Sequence, residues 1–295
     1  MILIDFNQTL ISNLMSQINS SQVSELSENL IRHMVLSSIL SYKKKFSGEY
    51  GEMIFCTDDR NYWRKQVFPY YKANRKKMRD ASKYDWNLIF NTLNKIRDEI
   101  KEIFPYVVIQ VEGAEADDII GTMVRYSQEK TISNNTLVPE TEKVLILSGD
   151  KDFVQLQKYP NVKQYSPMMK KYITTDDPKK TLVEHIFKGD SGDGIPNVLS
   201  QDSVFVTDGV RQKPLRKDKI QIWMDLDNPE LIGDDNILRN YKRNEQLIDL
   251  DFTPINIQKN IIDCYESGPI GEKRKLLNYF IKNKLKYLFE SISEF

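Results

Sequence analysis

Carboxylates are concentrated in two short stretches of this 295-residue chain, Gly113–Asp118 and Gly149–Phe153. A further pair, Asp190 and Asp193, follows in a glycine-rich segment. If the fold brings these acids together, they cannot all remain ionised unless cations neutralise them. Mg²⁺ and Mn²⁺ suit this role because they prefer oxygen ligands. A pair of such ions held by carboxylates is a common means of hydrolysing phosphodiesters.

Single acids also end apolar runs that are typical of buried strands. Asp5 follows Ile2–Ile4, and Asp58 follows Met53–Thr57. Short apolar strands separated by helices indicate a parallel sheet covered on both faces. The predicted fold class is therefore α/β, with a central, mostly parallel sheet flanked by helices. The predicted strands are Ile2–Ile4, Met53–Thr57, Tyr106–Val111, Lys143–Leu147 and Val162–Tyr165.

Helical periodicity lies between these strands and dominates the last third of the chain. We expect an α/β catalytic domain over residues 1–180 and a helical region over residues 181–295. A polar surface loop is predicted at Ile132–Thr141 and an irregular connection at Pro196–Lys213. The predicted helices are Glu25–Lys45, Asp85–Phe104, Ala114–Ser127, Leu215–Met224, Asp234–Ile248, Pro254–Tyr265 and Gly271–Asn283.

The acids follow successive strand ends, and the carboxyl edge of an open α/β sheet is where ligands bind. Taken singly, each acid fits a helix cap or a first helical turn as well as it fits a metal site. Together they favour a metal site. Glu115 and Asp118 would share one helix face, as would Asp190 and Asp193 if their segment is helical. The candidate metal ligands are Asp5, Asp58, Glu115, Asp117, Asp118, Asp150, Asp152, Asp190 and Asp193.

The segment at about 60–84 interleaves cations with aromatic residues and contains few acids. Cations neutralise phosphates and aromatic faces stack on unpaired bases. A solvated loop is the simpler interpretation, but the position directly after an acidic strand end favours a basic arch over the metal site. The candidate nucleic-acid-binding residues are Arg64, Tyr71, Lys72, Arg75 and Lys76.

Composition excludes several classes of protein. The net charge is zero, which argues against a uniformly basic coat, and two cysteines, Cys56 and Cys264, cannot form a disulfide framework or a cysteine zinc site. His33 and His185 lie far apart in helical segments, so surface or core roles are favoured over metal ligation. Neither a signal peptide nor a membrane span is evident, which predicts a soluble cytoplasmic protein, in the host cytoplasm if viral.

The order of these motifs resembles the 5′-nuclease (flap endonuclease) superfamily, which has a PIN-like fold. The resemblance rests on Tyr71-Lys-x-x-Arg75, Glu115-Ala-Asp-Asp118, Gly149-Asp-Lys-Asp-Phe-x-Gln-Leu156 and Gly189-Asp-Ser-Gly-Asp-Gly-Ile-Pro-Asn-Val198, and it extends over essentially the whole chain. Two further segments, Tyr159–Met168 and Ser291–Phe295, resemble bacteriophage members of the superfamily.

The resemblance implies two Mg²⁺ ions, with Mn²⁺ as a substitute. It places the first ion on Asp5, Asp58, Glu115, Asp117, Asp150 and Asp152, and the second on Asp152, Asp190 and Asp193. It also implies that Lys72 and Arg75 act with Asp150 at the scissile phosphate, and that Tyr71 stacks on a terminal base.

The family activity is removal of RNA primers and adjacent DNA from 5′ ends during lagging-strand synthesis. The implied partners are RNA–DNA hybrids, forked or flap DNA, a sliding clamp and a single-strand DNA-binding protein, with the enzyme acting as a monomer. One departure is that Gly194-Ile-Pro-Asn-Val198 lacks the second glycine pair of the usual helix–turn–helix, so we expect a modified duplex-binding element.

Other classes fit the sequence less well. An aspartyl-phosphate phosphatase or receiver domain would usually place a second acid two residues after Asp5, where Asn7 stands. A toxin-type ribonuclease would not account for the helical C-terminal half. A catalytically silent, structure-specific DNA-binding protein remains the main alternative, although carboxylates without metal would repel DNA.

Overall fold

The computed structural model describes residues 1–21, 26–80, 82, 84–129, 131–132, 140–226 and 228–295. Its strands are β1 (Ile2–Asp5), β2 (Met53–Cys56), β3 (Val107–Ile109), β4 (Thr131–Ile132), β5 (Glu140–Thr141), β6 (Val144–Leu147), β7 (Val162–Ser166) and β8 (Lys171–Ile173). Its α-helices are α1 (Phe6–Ser21), α2 (Glu28–Tyr50), α3 (Arg64–Val67), α4 (Asn74–Asp80), α5 (Trp86–Ile103), α6 (Ala116–Glu129), α7 (Pro178–Lys188), α8 (Lys217–Met224), α9 (Asp235–Ile248), α10 (Ile255–Glu266) and α11 (Leu276–Lys282). Short 3₁₀ helices cover Lys151–Lys158, Pro229–Ile232, Leu250–Phe252, Lys273–Lys275 and Lys286–Glu294.

Six strands form one sheet in the order β3-β2-β1-β6-β7-β8. Neighbouring strands among β3, β2, β1, β6 and β7 run parallel, and β8 is antiparallel to β7. The predicted mostly parallel sheet is confirmed. From β1 the chain continues to β2 on one side of the sheet. From β6, the neighbour of β1 on its other side, the chain continues to β7 in the opposite direction. The loops after β1 and β6 therefore diverge, and the sheet opens a crevice at its carboxyl edge between them.

Alternate residues of each strand enter different cores, one on each face of the sheet. Ile2 and Ile4 of β1 pack with α1, α2 and α5, whereas Leu3 packs with α6 and α10. Burial on both faces explains why these strands lack alternating polar residues. A third apolar cluster joins α7, α8 and α9 and includes Phe68 and Tyr71 from the arch.

Helix α1 was not predicted from the sequence. Its buried residues Phe6, Leu10, Leu14 and Ile18 lie four apart, and Ile11 and Met15 pack beside them, which is the spacing of an amphipathic helix. Helix α2 is longer than its prediction at the C-terminal end, and Glu25, where the prediction began, lies outside the described residues. The helix begins after Ser27, whose hydroxyl accepts a hydrogen bond from the Leu30 N–H at 3.3 Å.

The region after residue 181 is helical, as predicted, and Pro196–Lys213 contains no helix. Asp190 and Asp193 lie in a turn closed by backbone pairing of Asp190 with Ile195 and not in a helix, so the condition for a shared helix face is not met. The ends of the predicted polar loop pair as β4 and β5, and its interior at 133–139 lies outside the described residues. Among the described helices, none is long and apolar enough to span a membrane.

Candidate active site

Asp5 and Asp58, from two adjacent strand ends, reach the crevice at the carboxyl edge. The Asp5 carboxylate accepts hydrogen bonds from the Gln8 N–H at 3.1 Å and from the Ser148 hydroxyl at 3.2 Å. Asp58 accepts the Ala116 N–H at 2.8 Å, so it caps helix α6, and it also accepts the Asn7 amide at 2.9 Å. The helix-cap interpretation of Asp58 is therefore part of its role in the structure.

Three carboxyl groups, those of Asp5, Asp117 and Asp150, line one wide cleft of about 1150 Å³ at this edge. Burial and the neighbouring charges of Asp58 and Asp150 raise the pKa of Asp5 to about 8. Burial also raises the pKa of Asp117 and of Asp150, reinforced by other acids of the same cluster. Without added cations these acids could not all be ionised near neutral pH, so the donor set fits divalent ions.

Glu115 lies at the same edge but is paired with two cations of the arch. Its carboxylate is 1% exposed and accepts hydrogen bonds from Arg64 Nη1 at 3.0 Å and from Lys72 Nζ at 2.5 Å. Lys72 also lies 3.5 Å from Asp193 Oδ2. Burial alone would lower the pKa of Lys72, but Tyr71, Asp193 and Glu115 raise it well above its usual value. The ammonium is thus held charged at the junction of the carboxylate groups.

The backbone of Lys72 is held in the left-handed region, with φ at 57°. A non-glycine residue there is strained and persists only where surrounding contacts fix it. The Lys72 N–H donates to the Asp193 carbonyl at 2.7 Å, which supplies one such contact. The structure therefore fixes the lysine against the turn that carries Asp193.

Asp118 does not join the carboxylate cluster. It is fully buried and accepts hydrogen bonds from Trp63 Nε1 at 3.2 Å, Arg64 Nη1 at 2.9 Å and the Thr253 hydroxyl at 2.9 Å. The next residue along a helix is rotated by about 100°, so Asp117 faces the cleft while Asp118 faces the protein interior. The prediction that Asp118 is a metal ligand is not supported by this geometry.

Arg64 is also buried rather than available to nucleic acid, contrary to the prediction. Its side chain is 1% exposed, and Nε donates to the Leu247 carbonyl at 2.8 Å while Nη1 reaches Glu115 and Asp118. Burial alone would lower the pKa of Arg64, but the charges of Asp118, Tyr71 and Glu115 outweigh burial and raise this pKa well above its usual value. Arg64 ties the arch to α6 and to the end of α9.

We expect Arg64→Met to lower the free energy of unfolding by about 3–5 kcal/mol, because it leaves the buried Asp118 without a cationic partner and leaves Glu115 with Lys72 alone. Lys65→Met, at the exposed neighbouring position, should change it little. Urea denaturation of both variants measures the difference. Unchanged stability with weakened binding of flap DNA would show instead that Arg64 contacts the substrate.

Tyr71, predicted to stack on a base, is 2% exposed, and its hydroxyl donates to Asp193 Oδ2 at 2.9 Å. It packs edge-to-face against Tyr62 at 5.8 Å between ring centroids. Tyr62 lines the cleft instead, together with Trp86 and Phe90. Tyr62 belongs to the basic segment noted in the sequence, whereas Trp86 and Phe90 were not singled out there.

Arg75 reaches Asp193 with its guanidinium and contacts the Gly192 carbonyl at 3.2 Å. It lines the cleft with Arg60, Lys65 and Arg79. The Lys76 side chain lies outside the described part of the chain. Cations of the predicted basic arch thus line the same cleft as the carboxylates, and Lys72 and Arg75 contact acids of the site directly.

Asp152, Asp190 and Asp193 form a second acidic group beside the first. Burial and the charge of Asp150 raise the pKa of Asp152 well above its usual value. Burial would also raise the pKa of Asp193, but Lys72 and Arg75 outweigh it and lower it.

Gly189, with φ at 66°, begins the turn that carries Asp190 and Asp193, and a Cβ at this position would lie 2.4 Å from the Ile195 carbonyl oxygen. The turn therefore requires glycine at this position.

His185 is the site residue that the sequence interpretation placed elsewhere. Nδ1 lies 3.3 Å from Asp152 Oδ1, and Nε2 lies 3.4 Å from Asp190 Oδ2. One turn of α7 separates His185 from the Gly189 turn, and this helical spacing was the signal present in the sequence.

A family model described as the 5′-3′ exonuclease N-terminal resolvase-like domain matches residues 2–185 of this chain. The chain belongs to the 5′-3′ exonuclease family. A second model, described as the C-terminal part of T4 RNase H, matches residues 177–295. Membership confirms the family resemblance and makes the chain a nuclease that hydrolyses phosphodiesters.

Individual family members give the same result. Ribonuclease H of Enterobacteria phage T4 is 34% identical over 301 residues, which cover 99% of this chain and 95% of that protein. This match confirms the resemblance to bacteriophage members. Flap endonuclease Xni of Shewanella piezotolerans is 32% identical over 144 residues, covering 46% of this chain and 49% of the relative.

Solved structures of low identity share the fold. A bacteriophage T5 flap endonuclease solved with DNA and metal ions superposes with a TM-score of 0.61 at 17% identity, covering 90% of this chain and 97% of the other. A T5 5′-exonuclease with bound zinc ions gives a TM-score of 0.56 at 16% identity, covering 100% and 98%. These likenesses confirm the predicted fold.

Proposed function

We propose that this family member is a Mg²⁺-dependent 5′→3′ nuclease that removes RNA primers and adjacent DNA during lagging-strand synthesis. The observation that carries the proposal is the convergence of four buried acids of the two adjoining groups, Asp5, Asp117, Asp150 and Asp152, whose pKa values are all raised. Such repulsion is relieved by divalent cations with oxygen ligands. The T5 relatives whose solved structures contain metal ions support the same reading.

Two ion positions follow from the two acidic groups. Asp5, Asp117 and Asp150 would hold the first ion, with Asp58 and Glu115 around it. Asp152, Asp190 and Asp193 would hold the second. A bound pair of Mg²⁺ or Mn²⁺ ions lowers the pKa of a water nucleophile and stabilises the leaving 3′ oxygen.

The cleft provides the path for the 5′ end of the substrate. Its arginines and lysines neutralise backbone phosphates, and the aromatic side chains of Tyr62 and Trp86 line the same cleft, where unpaired bases would stack. An RNA–DNA hybrid or a flap with a frayed 5′ end would place its terminal nucleotides there. Lys72, at the junction of the acidic groups, would exchange its contact with Glu115 for the scissile phosphate.

Lys72→Met should lower the single-turnover cleavage rate by about 10²–10³-fold, because it removes a fixed positive charge next to the reacting phosphate. Lys170→Met is the matched control, since Lys170 is exposed and has a similar backbone conformation, with φ at 53°. Quenched-flow cleavage of a flap substrate measures both rates. Equal rates for the two variants would remove Lys72 from the mechanism.

The proposed enzyme also needs a surface for duplex DNA and contacts with other replication proteins. We propose that the non-helical segment before α8, with exposed Arg211 and Arg216, contacts the duplex in place of a regular helix–turn–helix. A sliding clamp and a single-strand DNA-binding protein are the partners expected for the monomeric enzyme in replication.

The proposal is tested with a 5′-labelled RNA–DNA hybrid, a 5′-flap DNA and a matched 3′-flap DNA. We expect short 5′ products from the first two in Mg²⁺, none from the 3′ flap, and none in EDTA. Binding of forks without cleavage of any substrate in Mg²⁺ or Mn²⁺ would support the silent DNA-binding alternative.

A further inference from the structure

The group formed by Asp152, His185 and Asp190 combines one imidazole with two carboxylates. One ligand atom from each residue lies within 4.8 Å of the others. The three side chains are almost enclosed, with 12% of His185, 14% of Asp152 and 13% of Asp190 exposed. The imidazole comes from α7, whereas the two acids come from the 3₁₀ helix after β6 and from the Gly189 turn.

These contacts are longer than charge-assisted hydrogen bonds. The two nitrogen–oxygen distances are 3.3 and 3.4 Å, whereas charge-assisted hydrogen bonds are about 2.7–2.9 Å. Among the described residues, neither Asp152 Oδ1 nor His185 Nε2 has a hydrogen-bond partner, and both atoms are inaccessible to solvent. Buried polar atoms are rarely left unpaired, so this pair points to an absent ligand.

The spacing fits a shared cation. An ion takes only one nitrogen of an imidazole, and two ligands at about 2.0–2.2 Å from one ion stand roughly 3.0–3.5 Å apart. The 3.4 Å between His185 Nε2 and Asp190 Oδ2 matches this spacing, and Asp152 offers an oxygen within 4.8 Å of both. Asp190 is held in place for this role, since Oδ1 accepts the Gly192 N–H at 2.7 Å and Oδ2 faces Lys151 Nζ at 3.1 Å. Lys151 is 61% exposed, so it can leave Asp190 when an ion binds.

We propose that a ring nitrogen of His185 directly ligates the second ion, so that this site prefers a transition ion such as Mn²⁺ or Zn²⁺ over Mg²⁺. The inference rests on the proposed two-ion function. Imidazole suits transition ions, whereas a set of carboxylates alone suits Mg²⁺ as well as it suits Mn²⁺. The first site, built from Asp5, Asp117 and Asp150, contains no nitrogen donor and should not discriminate in this way.

Pulsed EPR on the full chain tests the ligand directly. One equivalent of Mn²⁺ is added in the presence of excess Mg²⁺, so that Mg²⁺ fills the all-oxygen site. Wild type and His33→Gln are expected to show ¹⁴N coupling from one directly bound imidazole, because His33 lies elsewhere, against Tyr287 at 5.9 Å between ring centroids. His185→Gln should lose the coupling. Calorimetry should show that the second site of this variant binds Mn²⁺ at least about tenfold more weakly than that of the wild type.

Two outcomes overturn the inference. Absence of ¹⁴N coupling in the wild-type protein with bound Mn²⁺ would show that His185 is not a ligand, whatever the variants do. Unchanged Mn²⁺ affinity in a folded His185→Gln variant would show the same. Wild-type cleavage of the 5′-flap DNA without ¹⁴N coupling removes only the role of His185, whereas coupling without cleavage removes the proposed function.

Discussion

Asp150→Asn is expected to lower the single-turnover cleavage rate by at least about 10³-fold in Mg²⁺. Asp150 lies at the crevice between β1 and β6 and belongs to both acidic groups through its neighbours Asp117 and Asp152. Asparagine keeps an oxygen that can accept the Asp152 N–H, now at 3.0 Å, so the local turn should survive. The loss would then arise from the missing charge rather than from unfolding.

Asp59→Asn is the matched control for this variant. Asp59 lines the same cleft, and its Oδ2 accepts the Gly113 N–H at 3.1 Å, which asparagine can also do. The control should cleave at nearly the wild-type rate. Flap-DNA affinity without divalent ions should be maintained or improved in Asp150→Asn, because one repulsive charge is gone. A rate for Asp150→Asn within about tenfold of wild type would remove this carboxylate from the catalytic centre.

The second large effect is on stability: the metal-free protein should lose stability as the pH rises from about 4 to about 8. The folded state raises the pKa of Asp5 to about 8, and the pKa values of Asp117 and Asp152 are also raised. A raised folded pKa stabilises the protein fully below the unfolded pKa, near 4, and this contribution is lost as the pH passes through the folded value. For Asp5 alone the loss is on the order of several kcal/mol.

Asp190 and Asp193 act in the opposite direction and in a different range. Burial opposes their ionisation, but His185 and Lys151 lower the pKa of Asp190, and Lys72 and Arg75 lower that of Asp193. Their contribution is present above the unfolded pKa and is lost only as the pH falls below about 4. It therefore does not mask the loss expected on the alkaline side.

Urea denaturation at about pH 5 and about pH 8, in EDTA and in Mg²⁺, measures this effect. We expect lower stability at the higher pH in EDTA and recovery of that stability with Mg²⁺, because ion binding favours the folded state. Asp117→Asn should show a smaller pH dependence in EDTA. Stability in EDTA that is constant or rises over this range would contradict the clustered arrangement of the acids.

Much of this arrangement follows from local sequence. Apolar strands that end in acid, with helices between them, place Asp5, Asp58 and Asp150 at one edge because parallel strands share their direction. Helix α1 was missed although its apolar residues, from Phe6 to Ile18, recur at helical spacing, so the sequence did contain the signal for it. The sequence left open whether Asp190 and Asp193 lie in a helix, because three-residue spacing alone does not separate a helix from a turn.

Side-chain direction was harder to predict than backbone position. Asp117 and Asp118 are adjacent in one motif, yet only the packing of α6 against Trp63 and Thr253 decides which of them faces the cleft. Arg64 and Tyr71 look like surface residues of a basic segment because their buried partners come from distant parts of the chain. His185 was assigned a structural role because nothing near it in sequence reveals Asp152.

Single-turnover cleavage of 5′-flap DNA as a function of Mg²⁺ concentration, at constant ionic strength, tests the central claim that the carboxylate groups form a two-ion catalytic centre. We expect no cleavage in EDTA and a rate that rises more steeply than the first power of Mg²⁺ concentration before it saturates. Cleavage in EDTA at a rate comparable to that in Mg²⁺ would contradict the account.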